Sequence, residues 1–263
     1  MKPLSHLLFV VSLFVFISFS SAQDPTAIYA NESVPVGQTT YHFRLMKPAA
    51  EATEKQFPLV LFLHGAGERG TDNLAQLKFL PTQLASAEMR KKFPCFVLAP
   101  QCEPNKQWVD APWGDKISKP MTSEPSEMMR CAIAALSKIM KDPKVDPQRI
   151  YLTGLSMGGY GSWELAIRHP EWFAAVAPIC GGGDETKVAV LKSMPVWAFH
   201  GLADTVVWPE RTQRMFDSLQ AAGGKPKFTK LEGVGHGAWG PAYDMKSGLL
   251  DWLFAQKKTT APK

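Results

Sequence analysis

The chain has 263 residues, 45% of them apolar and 20% charged, with a formal net charge of +5. This composition excludes a disordered or collagen-like chain and supplies enough apolar residues for a large core. The positive excess is mild and spread along the sequence, with no basic run or basic–aromatic ladder, which excludes nucleic acid as an expected partner.

The first segment reads as an export signal. Lys2 gives a basic start, Leu7 to Phe19 is an apolar run, and Ser20-Ser21-Ala22 places small residues at a cleavage position. A signal peptide over 1–22 is therefore expected, with a mature chain from Gln23 that is secreted or periplasmic. The run is short for a bilayer span, so no stable membrane insertion is expected after cleavage. Export permits disulfides, and Cys95, Cys102, Cys131 and Cys180 leave three pairings open. Cys95 and Cys180 lie in apolar runs that equally suit buried thiols. The cysteine spacing fits no zinc site.

From Asp24 to Gln56 the chain reads as an opening hairpin. Thr39 to Leu45 alternates as a strand does, and Pro35-Val36-Gly37 is its turn. Phe57 to Leu63 is a continuous apolar run, the pattern of a parallel strand covered on both faces. It breaks at His64-Gly-Ala-Gly-Glu-Arg-Gly70, after which a helix is expected from Asp72 to just before Pro81, and a second over Gln83 to Lys92. Phe96 to Pro100 is the next strand. The stretch Gln101 to Glu124 is irregular and holds Trp108, Trp113 and several prolines. Ser123 or Ser126 is the expected cap of a helix reaching about Lys141.

Ile150 to Leu152 forms a short apolar run, followed by Gly154-Leu-Ser-Met-Gly158 and a helical pattern that closes at His169-Pro170. Strand, tight turn and helix are the setting in which Gly-x-Ser-x-Gly becomes a nucleophile elbow. Gly158, Gly159 and Gly161 let backbone pass close to Ser156. Strands are then expected over Phe173 to Cys180, Pro195 to Phe199 and Phe228 to Leu231, with helices over Glu210 to Ala222 and Ser247 to Gln256. The alternation predicts one α/β domain over 23–258, a mostly parallel sheet with helices on both faces and no large lid domain. Residues 259–263 are expected to be a disordered tail.

A nucleophilic serine needs a base, and the base needs an acid that orients it. Ser156 is the candidate nucleophile. Asp204 is the candidate acid, directly past the strand ending at Phe199, with Asp184 as its rival. His236, in the glycine-flanked loop after the last strand, is the candidate base. His42, His169 and His200 fit less well, since they lie before the core sheet, at the end of the elbow helix, and ahead of the acid. Backbone N–H groups of Met157 and Ala66 are the candidate oxyanion donors. Glu68 and Arg69 are expected to brace the Ala66 loop, by an ion pair in the simplest case. Trp108, Trp113 and Trp239 are candidate substrate-binding residues, against the alternative that they fill the core or its rim.

With these pieces in place, the chain resembles secreted bacterial esterases of the α/β-hydrolase superfamily. The residues that carry the resemblance are His64-Gly-Ala-Gly-Glu-Arg-Gly70, Ala99-Pro-Gln-Cys102, Gly154-Leu-Ser-Met-Gly-Gly-Tyr160, Pro178-Ile-Cys-Gly-Gly182, Phe199-His-Gly-Leu-Ala-Asp204 and Gly235-His-Gly-Ala-Trp239. The similar group includes feruloyl and acetylxylan esterases, polyhydroxybutyrate depolymerases and dienelactone hydrolases. The resemblance implies a serine carboxylesterase without metal or cofactor, acting on a small-molecule or polysaccharide-linked ester. It places the triad on Ser156, Asp204 and His236. A peptidase or lysophospholipase on the same triad is the alternative enzyme reading, and a non-catalytic binding protein on a hydrolase scaffold is the reading from a different class. Neither the resemblance nor the residues specify an oligomeric state.

Overall fold

The computed structural model describes residues 24–258; the expected signal peptide at 1–22 and tail at 259–263 lie outside them. Eight strands form one sheet: β1 (Ala30–Val36), β2 (Thr39–Met46), β3 (Phe57–Leu63), β4 (Phe96–Pro100), β5 (Val145–Leu155), β6 (Ala175–Ile179), β7 (Trp197–Gly201) and β8 (Lys227–Leu231). Their order is β1-β2-β4-β3-β5-β6-β7-β8. The β1–β2 hairpin is antiparallel and joins β4 antiparallel; from β4 to β8 all neighbours run parallel. This is the α/β-hydrolase arrangement.

Among the described residues, seven α-helices accompany the sheet: α1 (Leu80–Leu84), α2 (Ala87–Lys92), α3 (Glu127–Ile139), α4 (Met157–Arg168), α5 (Pro209–Ala221), α6 (Trp239–Tyr243) and α7 (Leu249–Ala255). Strand side chains alternate between the two faces. On β3, Leu59, Leu61 and Leu63 pack into one core with residues of α3, α4 and α5, while Val60 and Phe62 pack into the other with residues of α1, α2, α6 and α7. Both faces are covered, which is why β3 reads as an unbroken apolar run. Among the described residues no helix is long and apolar enough to cross a membrane.

The structure corrects three sequence expectations. The helix expected from Asp72 is a capped turn and a short 3-10 segment, Ala75–Leu77, because Asp72 Oδ1 accepts from Leu74 and Ala75 N–H and Phe79 then takes φ 63°. Pro81 does not lie beyond a helix but sits in the first turn of α1, where its missing N–H costs nothing. The strand read from Ile150 starts at Val145, because Asp146-Pro-Gln-Arg149 hides it; here the pairing with β3 shifts register between Phe57 and Leu59. All four cysteines are buried and free, so none of the three pairings forms.

Candidate active site

The site is assembled at the carboxyl ends of the parallel strands, where such sheets bind ligands. Ser156 follows β5 directly and is the N-terminal flank of α4, with φ 54° and ψ −118°. A non-glycine residue in that region is strained, and the strain persists only where the surroundings hold it. Here the hold is backbone against backbone. A Cβ on Gly158 would lie 1.8 Å from Leu63 O, and one on Gly159 would lie 2.4 Å from Ile179 O. Only glycine at these positions lets α4 press against β3 and β6 and aim the serine outward.

His236, in the loop after β8, places Nε2 2.8 Å from Ser156 Oγ and Nδ1 2.7 Å from Asp204 Oδ2. Ser156 and His236 are half-buried, and Asp204 is buried. Asp204 Oδ1 accepts from the N–H of Val206 and Val207. Burial opposes ionisation of this carboxyl, but hydrogen bonds from His200, His236 and those two amides outweigh it and hold the group well below the usual carboxylate range. The arrangement joins a hydroxyl, an imidazole and an ionised carboxylate in one line, which suits proton transfer to and from the serine oxygen.

Met157 is the first residue of α4, and Ala66 the first of a 3-10 turn, Ala66–Glu68. First-turn N–H groups have no acceptor within their own helix. The Ala66 turn is fixed from several sides. His64 Nδ1 pairs with Gly65 O at 2.6 Å, and His64 Nε2 accepts from Cys102 N–H at 2.8 Å. That pattern assigns the ring proton to Nδ1. Burial pushes the imidazole down to about 4 and keeps it neutral. The expected Glu68–Arg69 ion pair does not form. Arg69 instead donates Nε–H to Ala66 O and a guanidinium N–H to Lys106 O, while burial raises the Glu68 carboxyl above its ordinary range.

The three tryptophans separate. Trp108 is not a substrate wall. Its side chain is 0% exposed, its Nε1–H donates to His64 O at 3.0 Å, and its ring packs edge-on against His64. The indole therefore backs the Ala66 turn from inside. Trp113 is half-buried under the Arg69 guanidinium. Trp239 is half-buried with its ring 5.3 Å from the His236 ring. Phe79, which sequence reading missed, is 39% exposed and lies 5.6 Å from Trp239, extending an aromatic face from the imidazole to solvent. Its positive φ is the one local feature that marks it. Asp184, the rival acid, accepts from Met121 N–H and from Thr186, away from His236. His169 stacks on Trp172, and His42 is exposed.

The irregular stretch 101–126 packs against the elbow helix, and its part from Trp113 to Glu124 is gripped through its own carbonyls. Tyr160 donates to Trp113 O, Trp208 to Gly114 O, and Arg211 to Asp115 and Ile117 O. Arg168 donates to the carbonyls of Thr122, Ser123 and Glu124.

Cys180 Sγ, an Asp204 oxygen and a His236 nitrogen lie within 4.8 Å of one another, the one such cluster of metal-type donors among the described residues. The chemistry does not suit a metal. Burial pushes the Cys180 thiol up to about 12, and Asp204 and His236 are bonded to each other.

Residues 97–245 match the model of the dienelactone hydrolase family. The chain belongs to this family. A solved structure described as a thermostable esterase superposes with a TM-score of 0.79 at 36% identity, covering 89% of this chain and 64% of that one. NocK of Nocardia uniformis subsp. tsuyamanensis, a protein with an esterase label, is 27% identical over 195 residues, 73% of this chain and 51% of that protein. A rice (Oryza sativa subsp. japonica) protein with a carboxylesterase label is 27% identical over 226 residues, 80% of this chain and 84% of that one. The chain thus spans about half the length of NocK and under two thirds of the esterase structure. Within the dienelactone hydrolase family frame, the matched segment contains Ser156, Asp204 and His236, while Ala66 precedes it.

Proposed function

We propose that this protein is a serine carboxylesterase that works through an acyl-enzyme on Ser156. The observation that carries the reading is the line from Ser156 Oγ through His236 to Asp204, with contacts of 2.8 and 2.7 Å, at a strained elbow. Ser156 Oγ attacks the ester carbonyl carbon while His236 Nε2 takes its proton. The Met157 and Ala66 N–H groups hold the carbonyl oxygen as it gains charge. The tetrahedral intermediate collapses, the carbon–oxygen bond to the alcohol breaks, and His236 returns the proton to the departing alcohol. Water then attacks the acyl carbon, His236 takes its proton, and the carboxylic acid leaves as Ser156 is restored. Asp204 orients the ring and stabilises its charged form throughout.

The Trp239–Phe79 face lies beside the imidazole that protonates the leaving group, with the Trp239 ring 5.3 Å from it, and this supports placing the face on the alcohol side of the site. An aromatic or sugar-bearing alcohol, such as a polysaccharide-linked ester supplies, fits that face. With the signal-like segment at 1–22, the reading is of an exported enzyme. The test is a hydrolysis panel on residues 23–263: p-nitrophenyl acetate, butyrate and octanoate, methyl ferulate, acetylated xylan and a peptide amide. Activity on an ester that disappears in Ser156→Ala is expected. Full ester hydrolysis by Ser156→Ala, or cleavage of the amide with all esters untouched, overturns the proposal.

A further inference from the structure

His200 lies in β7, four residues ahead of Asp204, and its side chain is fully buried. Its Nε2 lies 2.9 Å from Val207 O and 3.2 Å from Asp204 Oδ2. A carbonyl oxygen and an ionised carboxylate oxygen only accept, so Nε2 carries a proton. On the other side of the ring, Thr212 Oγ1 contacts both Nδ1, at 2.7 Å, and Gly181 O, at 2.5 Å, and its one hydroxyl proton lies between these two acceptors. Thr212 belongs to α5, and Gly181 follows β6 by two residues. The ring is thus tied to a helix on one side and aimed at the Asp204 loop on the other.

The oxygen it faces is the one that His236 uses. Oδ2 lies 2.7 Å from His236 Nδ1, while Oδ1 is taken by two backbone amides. A carboxylate oxygen has two acceptor directions. At Oδ2, His236 fills one, and the other faces His200 Nε2–H, which Oδ2 at 3.2 Å shares with the nearer Val207 O at 2.9 Å.

We propose that His200 is a positioning residue for the hydrolytic reaction: its Nε2–H fixes the Asp204 carboxylate in the orientation from which Oδ2 holds His236 toward Ser156. The inference rests on the esterase reading above. Asp204 sits in a turn, where a carboxylate anchored through Oδ1 alone keeps freedom at Oδ2. A fully buried imidazole is costly to place unless both nitrogens are satisfied; here Thr212 serves Nδ1, and the Val207 carbonyl and the Asp204 carboxylate, both in the loop that carries the acid, share Nε2–H. His200 does not touch substrate; it acts through Asp204.

The test compares His200→Leu, which removes the donor and keeps apolar volume, with His200→Gln, whose amide N–H reaches the place of Nε2. Thr212→Val is the third variant, leaving His200 present but untied. Each is measured for kcat and KM on p-nitrophenyl acetate, with a thermal melt to count folded protein. For His200→Leu, kcat falls by about 10- to 100-fold, the scale at which hydrogen-bonded supporting partners act, and KM stays within about twofold. His200→Gln recovers most of that loss, and Thr212→Val falls between them. A His200→Leu protein with wild-type kcat per folded molecule overturns the proposal, as does a His200→Gln loss equal to that of His200→Leu. If His200→Leu does not fold, Thr212→Val decides, since an unchanged kcat there overturns the proposal equally. Failure of the esterase reading looks different: the wild-type protein would then lack ester hydrolysis, or Ser156→Ala would keep it.

Discussion

At the scale of single residues, the three aligned side chains act as a unit, so their removal is far from additive. Ser156→Ala is expected to lower kcat on a short activated ester by ~10⁵- to 10⁶-fold, as for other serine nucleophiles of this kind. Asp204→Asn keeps the shape but presents an amide to His236, and a loss of ~10⁴-fold is expected. Thermal melts beside the kinetics separate both losses from unfolding. Trp239→Ala is expected to raise KM for aryl esters of bulky alcohols by about tenfold, the equivalent of one aromatic contact. The same change leaves KM for ethyl acetate nearly unaltered, and equal effects on the two would remove Trp239 from the alcohol side. The three polar residues were legible because each lies in the loop or turn after a strand-like run, in the order the chemistry needs. Trp108 was not, because a proline-rich neighbourhood says nothing of depth; the indole is drawn inward by the carbonyl of His64. Phe79 was not legible, because its partner Trp239 lies far along the chain, and His200, although only four residues from Asp204, carries no pattern that marks the contact.

At the scale of elements, the elbow depends on how closely α4 approaches β3. Gly158→Ala places a methyl 1.8 Å from Leu63 O, a backbone atom that cannot swing away. Loss of soluble folded protein is expected, seen in expression yield and circular dichroism. Gly240→Ala in α6 meets nothing within 4 Å, and a melting temperature at or above wild type is expected because alanine favours helix by up to ~1 kcal/mol. If the two variants melt alike, close approach is not what Gly158 provides. The central strands were readable as apolar runs of strand length, as were α3, with its Ser126 cap, and α5. The region between Asp72 and Leu84 was not, since its course turns on a left-handed Phe79 that propensity disfavours. The helix α6 was also hidden, because five residues containing Gly240-Pro241 carry no period.

At the scale of the molecule, His64 couples the Ala66 turn to folding. Unfolded, its imidazole takes a proton near pH 6.5; folded, burial holds it neutral down to about pH 4. The unfolded state therefore binds the extra proton between these values. The stability this site contributes is complete above pH 6.5 and falls as pH drops toward 4, by up to about 3 kcal/mol. Urea unfolding at pH 7.5 and 4.5 checks the sign, and His64→Gln is expected to remove that part of the difference. The export reading has its own measurement: intact-mass analysis of protein made from the whole chain in a secreting host, with a mature start at Gln23 expected. A retained residue 1 in the exported protein would refute cleavage.

The hold on the stretch 101–126 has a consequence for how this protein can change. Tyr160, Arg168, Trp208 and Arg211 grip it through main-chain oxygens. Every amino acid supplies that oxygen, so this part of the anchorage does not depend on which side chains the stretch displays at its exposed positions. Mutational libraries confined to positions such as Pro112, Lys116, Ile117 and Lys119, all exposed, can vary what the stretch presents without loosening the fasteners. The tolerance for new substrates is thus stored in the exposed positions of a segment whose buried side chains, Trp108 among them, stay fixed, while the residues that grip its main chain sit elsewhere in the sequence.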